Sequence, residues 1–147
     1  MRTICTIGFA KKSLRQFIQL LKNANVTRVV DIRLNNTSQL AGFAKKDDLN
    51  YVLELVGIDY IHCEDLAPDE QLLEDYKKKQ IKWSDYEKRY LDLLITRKVE
   101  QRIDKILGEG LSCLLCSEHE PKFCHRRLLA EYISNHYNDQ VVIKHLS

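Results

Sequence analysis

Short apolar runs alternate with amphipathic stretches along the chain, and this alternation predicts the fold. The apolar runs are brief and rich in β-branched residues, as expected for buried strands, and they cover 3–9, 28–33, 58–63, 111–116 and 141–146. Between them, apolar residues recur every three to four positions, as on one face of a helix. Strands that alternate with helices predict an α/β protein with three layers. Its mainly parallel central sheet should have about five strands, with helices on both faces.

Capping and breaking residues indicate where the intervening helices begin and end. Ser13 is a candidate N-cap of the first helix, and Gly57 closes the second. Most of 72–107 is expected to be helical, and 126–137 forms the last helix. The crossovers that connect the parallel strands should be right-handed.

Length and composition narrow the class of protein. The 147 residues suit one domain spanning 1–147, and 44% hydrophobic with 30% charged residues is typical of a soluble globular chain. No apolar run approaches the ~20 residues of a membrane span, and the N-terminus lacks the roughly 7–15 apolar residues of a signal peptide. We therefore expect a cytoplasmic protein with no membrane partner. The odd number of cysteines, five, argues against a disulfide framework.

The segment LLCSEHEPKFCHRRLLAEYI, at 114–133, concentrates reactive side chains where a strand gives way to a loop and a helix. In open parallel sheets, ligands bind at the carboxyl ends of strands, and the N-terminus of a helix attracts anions. Cys116, Glu118, Cys124, His125 and Arg126 lie at such a corner. A nearby positive field favours a thiolate at either cysteine, and His125 is expected to titrate near neutrality. Packed cysteines and solvated arginines are the alternative.

Cys113-Leu-Leu-Cys116 followed by Cys124-His125 also suggests a zinc site. Residues three apart on a strand point to opposite faces of the sheet, so Cys113 is better explained as a small buried hydrophobe. Cys116, His119, Cys124 and His125 could still converge, which keeps bound zinc as the less favoured alternative. We predict no metal and no other cofactor.

Asp31 and Arg33 form a second group of candidate residues, near the carboxyl end of the second strand. A carboxylate in that position can orient a substrate hydroxyl or act as a general acid or base. The alternative is a structural ion pair, for example between Asp31 and Arg126. Both interpretations are open at the level of sequence.

A basic cluster is expected over the same edge of the sheet. The loop after the second strand carries Ser38 and Lys45, and Gly8 ends the first strand. Arginines at 33, 126 and 127 and lysines at 11, 12 and 46 should lie nearby. Phosphate, a nucleotide or nucleic acid is the natural partner of such a cluster. No phosphate-binding glycine motif is present in the sequence.

Several of these segments together resemble one known family. CSEHEPKFCHR at 116–126 resembles the C-x-E-x-x-P-x-x-C-H-R signature of the domain of unknown function 488 family (DUF488). TIG at 6–8, DIR at 31–33 with Ser38, and GFAK at 42–45 resemble further motifs of that family in the same order. The resemblance covers nearly the whole chain.

The resemblance implies an α/β prokaryotic cytoplasmic domain whose motifs gather at one site, but it does not specify a reaction. The chain departs from the family pattern after Gly8, where Phe9-Ala10 replaces a frequent polar pair. It also lacks the proline that is often found between Arg33 and Ser38. No role for that polar pair can therefore be carried over to this chain.

Three functions remain as hypotheses. The first is an enzyme, such as a hydrolase, acting on a phosphate-bearing small molecule or nucleic acid. In it the arginines and lysines hold phosphate, and Asp31 and Glu118 handle protons. The second is a cysteine enzyme of rhodanese or thiol-phosphatase type, although Lys122 occupies the place of the arginine in the phosphatase C-x5-R pattern. The third is a non-catalytic nucleotide or nucleic-acid binding module. The oligomeric state is open.

The candidate residues divide into two groups by role. The candidate catalytic residues are Asp31, Cys116, Glu118 and His125. The candidate residues for binding substrate or phosphate are Gly8, Arg33, Ser38, Lys45, Cys124 and Arg126.

Overall fold

The computed structural model describes residues 2–34, 46–117 and 124–147. Five strands form one sheet: β1 (Arg2–Gly8), β2 (Arg28–Asp31), β3 (Asp59–His62), β4 (Ser112–Cys116) and β5 (Val141–Leu146). The described helices are α1 (Leu14–Asn23), α2 (Lys46–Leu55), α3 (Glu70–Lys77), α4 (Trp83–Thr96), α5 (Ile103–Leu107) and α6 (His125–His136). Short 3₁₀ turns occupy Glu64–Leu66 and Val99–Gln101.

The strands lie in the order β3-β2-β4-β1-β5, and every neighbouring pair is parallel. Helices pack against both faces of this sheet and bury two separate cores. The core beneath α3 to α6 includes Ile4, Tyr90, Leu114 and Leu129. The core beneath α1 and α2 includes Cys5, Phe17, Leu53 and Cys113. The predicted three-layer α/β fold is confirmed, with a wholly parallel sheet.

Local sequence signals define the helix ends as expected. The Ser13 side chain accepts a hydrogen bond from the Gln16 amide at 3.1 Å, and the Gln16 side chain accepts one from the Ser13 amide at 2.9 Å. This reciprocal capping box starts α1. Gly57 follows α2 with a φ of +75°, a conformation that glycine adopts without a steric penalty.

The predicted helical stretch 72–107 is divided into three helices. Lys79 and Lys98 adopt left-handed conformations, with φ of 58° and 53°, and each lies just after the end of a helix. The amphipathic periodicity continues across both breaks, which is why the sequence suggested a nearly continuous helical segment. No helix among the described residues is long and apolar enough to cross a bilayer.

Side chains along β4 point alternately to the two faces of the sheet, and this separates the two cysteines that suggested zinc. Cys113 is buried in the core beneath α1 and α2, whereas Cys116 belongs to the core beneath α3 to α6. The prediction that Cys113 and Cys116 lie on opposite faces, with Cys113 a buried hydrophobe, is confirmed. Among the residues that the structure describes, no three His, Cys, Asp or Glu side chains are grouped so as to hold a metal ion.

Candidate functional site

The parallel sheet brings three sequence motifs together at the carboxyl ends of β1, β2 and β4. Gly8 of β1 is in register with Cys116 of β4, and Asp31 of β2 is in register with Leu115. The Phe9 amide donates a hydrogen bond to the Cys116 carbonyl at 3.3 Å, which extends the pairing beyond the strand. The three segments therefore meet as the sequence predicted.

Arg126, in the first turn of α6, reaches inward to this edge and is completely buried. Its Nε donates to Thr6 Oγ1 at 3.3 Å, and its Nη1 donates to Cys116 Sγ at 3.2 Å. The same Nη1 lies 4.0 Å from Cys124 Sγ. A guanidinium in hydrogen-bonding contact with a sulfur favours the thiolate over the thiol.

Cys116 and Cys124 are a buried pair whose Sγ atoms are in direct contact. Their Cα atoms are 7.8 Å apart, wider than the roughly 4.4–6.8 Å that is usual for a disulfide. The contact between the two sulfurs places them within bonding reach. This is one local pair, not the framework of crosslinks that the cysteine count argued against. The remaining cysteines are free, and burial raises the pKa of each thiol; they are Cys5, Cys63 and Cys113.

Asp31 forms a buried ion pair with Arg33, and not with Arg126. Arg33 donates from Nε to Asp31 Oδ1 at 2.8 Å and from Nη2 to Oδ2 at 2.7 Å, while the Tyr60 hydroxyl donates to Oδ2 at 2.6 Å. Burial acts to raise the pKa of Asp31, but the hydrogen bonds and charge of Arg33, with the Tyr60 hydroxyl, bring it below its ordinary value. Asp31 is thus an ionised carboxylate with both oxygens engaged, which matches the ion-pair alternative.

His125, the first residue of α6, is neutral at physiological pH. Its Nε2 lies 2.8 Å from the Ile32 carbonyl, which can only accept, so Nε2 carries the proton. Burial, with the nearby Arg126 charge, lowers the pKa of His125 to about 4. The expectation that His125 titrates near neutrality is wrong, because partial burial of the ring and the charge of Arg126 both disfavour the protonated form.

A cavity of about 280 Å³ opens on this edge. Arg33, Cys116, Cys124 and His125 contribute to its wall. The rest of the described wall includes aromatic and aliphatic side chains from α3 and α4, namely Leu73, Tyr76, Trp83 and Tyr86. Sequence reasoning missed these aromatic residues. Their only signal was the apolar periodicity of two helices, which shows that a face is covered but not that it borders a cavity.

Arg127, the neighbour of Arg126, does not extend the basic cluster. It donates to Glu87 at 2.7 Å and to Glu131 at 2.8 Å on the surface of α4 and α6. The other candidates, Glu118, Ser38 and Lys45, lie outside the described residues, as does His119.

Fold and site define an α/β domain whose central strands end at a buried arginine, a cysteine pair and an aspartate–arginine ion pair. The family model described as "Domain of unknown function DUF488" matches residues 13–133. The chain belongs to this family, so the resemblance predicted from the sequence is confirmed. No curated protein and no solved structure matches the chain.

Proposed function

We propose that the chain, with the Cys116–Cys124 pair reduced, is an enzyme in which the thiolate of Cys116 reacts with a small substrate bound in the 280 Å³ cavity. The supporting observation is the contact of 3.2 Å between Arg126 Nη1 and Cys116 Sγ, made where the cysteine borders that cavity. Thiolates are the nucleophilic form of cysteine, and a neighbouring positive charge is the usual means of populating them.

The surroundings of Cys116 support the same role. It is the last residue of β4, and the N-terminus of α6, with its partial positive charge, lies beside it. His125 is neutral, so Arg126 supplies the nearby formal positive charge. The catalytic roles that the sequence suggests for Asp31 and Glu118 are part of this proposal. In the structure, the Asp31 carboxylate is engaged with Arg33.

The proposal predicts an unusually reactive thiol. We expect iodoacetamide, applied to the reduced native chain at pH 7, to alkylate Cys116 at least about 10-fold faster than Cys63. Cys63 is the reference because it is half-buried and burial raises the pKa of its thiol. Mass spectrometry after trypsin cleavage measures both rates, and cleavage after Lys122 separates Cys116 from Cys124. The peptide 106–122 also contains Cys113, so fragmentation of that peptide assigns the modified cysteine.

Two controls make this comparison specific. Unfolding the chain should bring the two alkylation rates together, since the unfolded chain does not hold Arg126 against the sulfur. Cys116→Ser should remove the fast modification without changing the rate at Cys63. Native rates at Cys116 equal to or below those at Cys63 would contradict the thiolate mechanism.

A phosphate-bearing substrate, the first hypothesis from the sequence, is the second candidate. The supporting observation is Arg33, which borders the cavity and pairs with Asp31 through Nε and Nη2, so that Nη1 takes no part in that pair. The partner, a phosphate-bearing small molecule or nucleic acid, is part of the same proposal.

Phosphate binding should stabilise the folded chain. We expect inorganic phosphate to raise the Tm by more than sodium chloride of equal ionic strength does, because only the folded state assembles the site. Differential scanning fluorimetry measures the shift. A Tm that depends on ionic strength alone would count against phosphate as the recognised group.

A further inference from the structure

The aromatic side chains of the cavity wall pack against one another. Trp83 and Tyr86 stack with ring centroids 4.7 Å apart, and Tyr76 meets the Trp83 ring edge-on at 5.4 Å. The Trp83 indole N–H donates to Glu87 at 2.7 Å, which fixes the orientation of the indole ring. Tyr76 and Trp83 are half-buried, so part of each ring remains accessible.

Arg33 gives the same cavity a cationic group. Its guanidinium is held by Asp31 on one side and lies over the Phe9 ring, 5.1 Å from the centroid. These contacts hold the positive charge in a defined position in the wall. Cys116 completes the combination of a ring-binding surface, a cation and a reactive group around one space.

We propose that the cavity binds a small ligand that combines a planar ring with one anionic group, of the size of a mononucleotide. The ring would stack on the aromatic side chains of α3 and α4, and the anion would bind Arg33. The volume of about 280 Å³ lies just below the roughly 300–1,000 Å³ that ligand pockets occupy, which favours a small ligand. A ligand of this size fits the space, whereas a polynucleotide would contact it with one base at most. This inference rests on the proposed function, since it names the substrate class of that site.

Trp83 makes the proposal directly measurable, because it is the chain's only tryptophan. We expect adenosine 5′-monophosphate to change the intrinsic fluorescence saturably. Adenosine, which lacks the anion, and ribose 5-phosphate, which lacks the ring, should each bind at least about 10-fold more weakly. Benzoate, a ring with a carboxylate, distinguishes the source of the anion: tighter binding of benzoate than of the nucleotide assigns the site to aromatic carboxylates within the same class.

Calorimetry with variants tests whether the wall makes the contact. Trp83→Leu should weaken binding of the preferred ligand about 10-fold or more, and Trp83→Phe should restore most of the affinity because it keeps a ring. Tyr51→Leu, at an aromatic residue that is 60% exposed on α2, is the matched control and should bind normally. Circular dichroism confirms that each variant is folded. Absence of saturable binding by every probe, or equal affinities for the nucleotide and ribose 5-phosphate, would overturn the inference.

Failure of the ligand proposal can be distinguished from failure of the thiolate proposal. The bound ligand should slow alkylation of Cys116 in the native chain, since both occupy one cavity. Binding together with an unreactive Cys116 would retain the ligand class and reject the cysteine mechanism. A reactive Cys116 without binding of any probe would retain the cysteine mechanism and reject the ligand class.

Discussion

Replacing Asp31 with Asn is expected to lower the free energy of unfolding by about 3–5 kcal/mol. Arg33 is 5% exposed and Asp31 is fully buried, and they are joined through two hydrogen bonds. The neutral amide leaves the guanidinium as an uncompensated charge away from water. Removing one member of a buried pair costs far more than the pair contributes relative to apolar residues. Urea denaturation followed by circular dichroism measures the change.

A surface ion pair and a double variant provide the controls. Asp75 pairs with Arg89 at 2.9 Å with both side chains partly exposed, so Asp75→Asn should cost much less than Asp31→Asn. Adding Arg33→Met to Asp31→Asn removes the stranded charge and should recover much of the loss. If Asp31→Asn and Asp75→Asn have equal effects, the Asp31 pair is not the buried interaction that the structure describes.

Acidic pH should reduce the difference in the free energy of unfolding between the wild-type chain and the Asp31→Asn variant. The pKa of Asp31 in the folded chain lies below the ordinary 3.8, because the bonds from Arg33 and Tyr60 outweigh the effect of burial. A carboxylate whose pKa is lower in the folded chain stabilises that chain fully when the pH is above its pKa in the unfolded chain. This stabilisation is lost as the pH falls through its pKa in the folded chain. The difference in stability should therefore be constant from neutral pH to about pH 4 and should narrow below it.

Arg126→Met is expected to slow alkylation of Cys116 at pH 7 by a factor of about 10 to 1,000. The guanidinium lies 3.2 Å from the sulfur, and an opposite charge at that distance shifts ionisation by about 1–3 pH units. Methionine has a similar length and introduces no polar group into the buried space. The rate at Cys116 itself, assigned by fragmentation of the tryptic peptide 106–122, reports the fraction of thiolate.

The neighbouring arginine is the matched control for this variant. Arg127→Met removes the same charge one residue further along α6, where the side chain pairs with Glu87 and Glu131. We expect the Cys116 rate to be unchanged in Arg127→Met. Equal slowing in both variants would point to the overall field of the helix terminus, and an unchanged rate in Arg126→Met would exclude the guanidinium as the activating group.

The fold followed from the sequence because strand and helix periods alternate without ambiguity, and a parallel sheet needs that alternation. The same rule placed Gly8, Asp31 and Cys116 at one edge, since their motifs all follow strands. This rule does not determine whether Arg126 or Arg127 enters the site. Successive helix residues point about 100° apart, so exchanging the roles of Arg126 and Arg127 requires only a shift of one residue in the start of α6.

The aromatic wall could not be predicted from the sequence for a different reason. Tyr76 and Trp83 belong to different helices, and their contact depends on the turn between α3 and α4 and on how both helices pack over the sheet. The low pKa of His125 likewise depends on burial, which residue type and spacing do not reveal. These properties arise at the level of tertiary packing.

The strand order has a consequence for the chain as it is synthesised. β1 is made first, yet its two neighbours in the sheet, β4 and β5, are the last strands made. Thr6 and Arg126, joined by a hydrogen bond, are 120 positions apart. During synthesis, β1 emerges from the ribosome before the strands that pair with it. Cys116 likewise emerges before α6, the helix that carries Arg126. The hydrogen bond between Thr6 and Arg126 therefore cannot form until 120 further residues have been added after Thr6.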